Sequence, residues 1–149
     1  MSNDIFLVLG CSVLMCFTFG ILVISISLII AASRKGSSTL ETKPKQLQSI
    51  TTTINPRETL KIIVRFAQQS KYQISNIDEA KCQIVLEESP SFAGSHWGFF
   101  YPIFVSLRAD NTTLIEIGIK SKFRQADFII LRHHERCVNG LKAALFAQQ

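Results

Sequence analysis

Between Asp4 and Arg34 the chain carries no charged residue. Within that stretch, Ile5 to Ala32 is proline-free and rich in Ile, Leu, Val and Phe. A transmembrane helix needs roughly 20 apolar residues to cross a hydrocarbon core of about 30 Å. Lipid offers backbone groups no partner, so such a segment must be helical if it inserts. The expectation is a single-pass transmembrane helix over 5–32, after a short extracytoplasmic N-terminus at 1–4. A cleaved leader would start with basic residues and carry an apolar region of about 7–15 residues. Here the start, Met1-Ser2-Asn3-Asp4, is acidic and the apolar run is much longer, so the segment reads as an uncleaved signal-anchor.

All 16 Lys and Arg follow this run, beginning with Arg34, Lys35, Lys43 and Lys45. The positive-inside rule then puts the N-terminus outside and everything after residue 33 in the cytoplasm. The same four residues are candidates for contact with an anionic membrane surface, at on the order of 1 kcal/mol each. Ser12, Cys16 and Gly20 recur every four residues and form a candidate helix-packing face, because small side chains let helices approach closely.

Residues 33–54 are polar and rich in Ser and Thr, and read as a flexible basic linker. Arg34 to Lys71 holds eight basic residues against Glu41 and Glu58, whereas Tyr72 to Gln149 is balanced at eight of each sign. A nucleic-acid-binding domain would carry its positive charge on the folded part, so no nucleic-acid partner is expected.

Residues 55–149 form the predicted cytoplasmic domain. Asn55-Pro56-Arg57-Glu58 is a helix start: Asn caps, Pro suits the first position, and Glu can bond back. Leu60, Ile63, Val64 and Ala67 form one apolar stripe, and the helix fades near Ser70. Tyr72–Ile77 and Cys82–Leu86 read as an antiparallel pair, Gly98–Arg108 and Leu114–Lys120 as two further strands. A last helix is placed near Leu131–Ala147. The fold class is α+β: an N-terminal transmembrane helix, then a two-layer domain of order α-β-β-β-β-α, an antiparallel sheet with two helices.

Chemistry-bearing motifs are sparse. There is no phosphate-binding glycine loop, nucleophile elbow or paired Cys-x-x-Cys, so no cofactor and no metal are expected. His133 with Cys137, four apart on a helix, or His134 with Cys137, three apart, are spaced to reach one ion, with Cys82 or His96 as a third ligand. Glu87 and Glu88 point to opposite faces of a strand rather than forming an acid pair. The cluster Trp97-Gly98-Phe99-Phe100-Tyr101-Pro102 puts Phe99 and Tyr101 on one face, Phe100 and Phe104 on the other. Either a loop covers the second face, or Trp97, Phe99, Phe100, Tyr101 and Phe104 form a docking surface. Pro102 argues for an edge or a bulge.

The anchor, the Trp97–Pro102 stretch, and Gly118-Ile119-Lys120-Ser121-Lys122 leading into Arg132–Cys137 resemble small uncharacterised single-span membrane proteins of cyanobacteria. That resemblance covers residues 56–149. It implies a plasma or thylakoid membrane and no defined activity, and it transfers no functional residue.

Together these features favour a membrane-anchored interaction module, an accessory or assembly factor, whose partners are the lipid bilayer and another membrane protein or complex. Two alternatives stay open. One is a membrane-tethered enzyme or metal-binding domain using His133, His134 and Cys137. The other is a lipid or small-ligand binding domain with its pocket between sheet and helices.

Overall fold

The Asn55 side chain accepts a hydrogen bond from the Arg57 amide at 2.8 Å, and Pro56 opens the helix behind it. In this computed structural model, which describes residues 15–26, 29–30, 44, 46–91 and 96–148, that helix is α1, Pro56–Gln69. It buries Leu60, Ile62, Ile63 and Ala67 and ends on Ser70, whose amide bonds back to the Ala67 carbonyl. Glu58 does not return to the cap; it pairs with Lys61 at 2.8 Å. Asn55→Ala should cost about 1 kcal/mol by freeing the first-turn amides. A lowered urea midpoint would register it, and an unchanged one would mean that packing alone fixes the helix start.

The strands are β1 (Leu47–Thr52), β2 (Gln73–Asp78), β3 (Gln83–Glu88), β4 (Phe99–Leu107), β5 (Thr113–Gly118) and β6 (Lys120–Ser121). The closing helix α2 runs Asp127–Phe146. The sheet is antiparallel throughout, in the order β1-β5-β4-β3-β2, with β6 beside the start of β4. Its helix-side face is built from alternate residues: Ile84 and Leu86 on β3, Phe99, Tyr101 and Ile103 on β4, Ile115 and Ile117 on β5. Ile63, Val138, Leu141 and Leu145 from the helices close over them. Gly140, an apparent weakness in a helix, lies where a Cβ would meet the Phe66 ring at 3.1 Å; its bareness lets α2 approach α1.

Two strands escape the sequence reading. Leu47–Thr52, expected as flexible linker, is an edge strand in register with β5 from Leu47↔Gly118 to Thr52↔Thr113. Its Ser and Thr content resembles a linker, but Ile50 and Thr52 point inward and are buried. Pairing with a neighbour decides strand formation more than composition does. The short β6 is the second addition. It leaves Pro102 at a break: β4 pairs β6 up to Phe100 and β5 from Ile103 onward. The Val105 amide bonds the Cys82 carbonyl. This sets the odd residues of β4 as the bonded ones toward β3, so the Pro102 nitrogen faces the break.

The expected membrane span does not survive. No helix among the described residues is long and apolar enough to cross a membrane. The single-pass, signal-anchor reading, and with it the N-out, cytoplasmic-domain localisation at a plasma or thylakoid membrane, is corrected accordingly. Of the helix-packing candidates, Cys16 is exposed and nothing lies within 4 Å of a Cβ built on Gly20; Ser12 lies outside the described residues. So do Arg34, Lys35, Lys43 and Lys45.

Candidate functional site

Alternation along β3 sends residues 84, 86 and 88 toward the helices. The first two are Ile and Leu; the third is Glu88, a carboxylate 3% exposed where the pattern calls for a hydrocarbon. A buried charge of this kind is tolerated only when paired and hydrogen-bonded, and four donors surround it. Tyr101 on β4, diagonal to Glu88 and directly opposite Leu86, donates its hydroxyl to Glu88 Oε2 at 2.7 Å. His133, on α2, places Nδ1 3.2 Å from the same oxygen. His96 Nε2 lies 3.5 Å from Oε1, and the Lys71 ammonium, just beyond α1, pairs with that oxygen too.

Each group is held by its own element. His96 sits in a two-residue bridge with Ser91, bonded both ways between backbones. Its Nδ1 accepts the Gly98 amide at 3.2 Å, so the ring proton belongs on Nε2, facing Glu88. The His96 and His133 rings are 4.4 Å apart, and Phe99 stacks on His133 at 4.8 Å. Lys71 alone reaches solvent, its side chain about half exposed.

The electrostatics follow from this geometry. Burial pushes the Glu88 carboxyl upward, but the bonds from Lys71 and Tyr101, the Lys71 charge and the His133 bond outweigh it and hold the group below its ordinary value. Burial lowers both His96 and His133, with Glu88 opposing. Both rings are therefore neutral at pH 7, with nitrogen lone pairs to offer. Burial also raises the Tyr101 hydroxyl, assisted by the Glu88 charge.

The three residues named for a possible ion separate here. His133 joins the cluster and is buried. His134 turns the other way, with Nε2 2.9 Å from the Ile117 carbonyl, and burial lowers it as well. Cys137 is fully buried beside Tyr72, and burial pushes its thiol up to about 12, so it is no thiolate at neutral pH. Cys82 belongs to the hairpin turn at the other end of β3, at φ 51. Among the described residues, the group able to hold a metal is Glu88, His96 and His133, whose ligand atoms lie within 4.8 Å of one another.

The aromatic candidates are mostly interior. Phe99 and Tyr101 face the helices and are fully buried; Phe100 and Phe104, on the opposite face, are 4% and 8% exposed. Phe100 is capped by Lys122, whose ammonium stands 4.9 Å over the ring and pairs with Glu87. Lys122 is itself buried. Trp97 is half-buried against Phe123 at 5.9 Å.

No protein-family model matches the chain, nor does any curated protein. Among solved structures the chain is similar to the crystal structure of Ara h 8.0201, with a TM-score of 0.54, 12% sequence identity, and coverage of 68% of this chain and 94% of that chain. The likeness is one of fold. It shows a shared α+β architecture and assigns this chain no ligand or activity.

Proposed function

We propose that the domain binds a divalent transition-metal ion, zinc foremost, through Glu88, His96 and His133. The observation that supports this reading is the convergence of two imidazoles and a carboxylate, from a loop, a helix and a strand, inside the protein. Two neutral imidazoles with one carboxylate is a donor set suited to zinc.

In the metal-free protein the Lys71 ammonium supplies the positive charge that Glu88 requires. A metal ion must replace it and must also displace the ring protons now directed at Glu88. For His96 this means moving the proton to Nδ1 and giving up the Gly98 amide bond. Binding is therefore a competition among cations and protons, tightening as pH rises. Lys71 can withdraw at modest cost, because its side chain already touches water.

Zinc titration against a competing chelator tests this. The expected outcome is one equivalent bound, with at least about 10–100-fold weaker binding in His96→Gln and in His133→Gln, on the scale of losses seen when metal-site partners are removed. Lys71→Met should bind more tightly than the parent, since the competing ammonium is gone. Absence of binding in both the parent and Lys71→Met would reject the metal reading. Glu88 and its four donors would then be a metal-free polar network, as the Gly98 bond to His96 favours.

A further inference from the structure

At the end of β3 away from Glu88, an open cavity of about 690 Å³ lies between α1 and the β2–β3 hairpin. Arg57, Lys61 and Arg65 are spaced four apart, so they line up along one side of α1. Val64 and, across the gap, Ile77 and Ala80 supply apolar surface; Ile77 is 38% exposed. The charge on this wall is largely uncommitted. Lys61 is held only by the exposed Glu58, while Arg57 and Arg65 form no ion pair among the described residues. Glu79 is the single acidic residue of the lining, at the hairpin side.

A row of cations beside an apolar floor is complementary to a molecule with an anionic end and an apolar body. The volume falls within the roughly 300–1,000 Å³ of small-molecule sites. Arg57 and Arg65, eight residues apart on the helix, stand about 12 Å from each other along its axis. An elongated ligand can thus keep its charge on one guanidinium while its body lies along Val64 toward the hairpin. We infer that this groove binds a small organic amphiphilic anion: an acyl or aryl carboxylate, sulfonate or phosphate. The inference is independent of the metal reading, because the two sites share no residue and lie at opposite ends of β3.

The test uses the full chain and 8-anilinonaphthalene-1-sulfonate, an aryl sulfonate whose fluorescence rises in apolar surroundings. Exposed apolar side chains of residues 15–26 will take up dye in any variant, so the readout is the component that depends on the groove. The expected result is a saturable component, weakened at least about tenfold in Arg57→Glu/Arg65→Glu, with an unchanged urea midpoint because both side chains are exposed. Ile77→Asp should weaken it as well. Decanoate should displace this component, while decanol and inorganic phosphate at the same concentration should not. Equal titrations for the parent and the double variant would overturn the inference. Displacement by inorganic phosphate would reassign the groove to bare anions, and preferential displacement by an oligoglutamate peptide would reassign it to an acidic protein segment; either result overturns the small amphiphile.

Discussion

Glu88→Ala should lower the unfolding free energy by about 3 kcal/mol, the lower end of what removing one partner of a buried charged pair costs. The lower end applies because Lys71 can turn its ammonium to water, whereas Tyr101, His96 and His133 cannot follow and keep buried donors without an acceptor. Glu88→Gln should lose less: it keeps the volume and one acceptor oxygen but turns an amide NH₂ toward donors. Urea unfolding followed by Trp97 fluorescence reads the loss as a midpoint shift of roughly 1 M or more, for a slope of about 1–3 kcal/mol/M. A shift equivalent to under about 1 kcal/mol, the scale of a single ordinary hydrogen bond, would show that the network contributes little to stability.

The same network makes the fold acid-labile. The folded carboxyl of Glu88 titrates below its ordinary value. Its contribution is complete above the unfolded pKa and disappears as pH falls through the folded one. His96, His133 and His134 are also lowered in the fold. From about pH 6.5 downward the unfolded chain binds more protons at these positions, so stability falls as pH falls. Both contributions have the same sign, and the histidines act first. The urea midpoint should decline from near pH 6.5, before the ordinary carboxylate range is reached.

Gly98→Ala is the second large effect. Gly98 adopts φ +87, and a Cβ there would stand 2.6 Å from the Glu88 carbonyl oxygen and 3.1 Å from the Pro90 nitrogen. The conformation alone costs an alanine about 1–3 kcal/mol, and backbone on the other side of the contact cannot swing away as a side chain would. The damage also reaches the site, because the Gly98 amide holds His96. The expected outcome is a midpoint loss of the same order as for Glu88→Ala. A neutral Gly98→Ala would mean that this stretch readily takes up another backbone path.

How much of this was legible beforehand differs by element. The Asn55-Pro56 start, the β2–β3 hairpin and the span of β4 follow from local signals: a cap, a change of period, turn residues. β1 does not, because Leu47–Thr52 becomes a strand only by lying against β5, a partner far along the chain. The site was legible in pieces. The spacing and residue types make His133 and His96 possible ligands, and strand alternation sets Glu88 on the opposite face from Glu87. Their meeting depends on the path of the chain between Ser91 and His96 and on the seat of α2, which no local pattern contains. The available signal was Glu88 itself, an acid at the inward position that follows Ile84 and Leu86. The apolar character of both faces of β4 is legible in the sequence, but not which face the helices cover; Phe99 and Tyr101 lie on the helix side and Phe100 and Phe104 on the other, all four buried. The apolar run before Arg34 points to a full crossing, yet among the described residues no helix is long and apolar enough for one.

The placement of β1 bears on the order in which the sheet assembles. β2 to β5 form a meander in which each strand meets the next across a short connection, so their pairing is local. β1 instead closes against β5 across roughly 60 intervening residues, a loop whose closure entropy must be overcome before any ladder bond forms. During synthesis β1 leaves the ribosome first and waits for its partner longest. Until β5 arrives, Leu47–Thr52 has no strand to pair with. Until β1 docks, the newly made β5 presents an unpaired edge, open to the β1 of another copy.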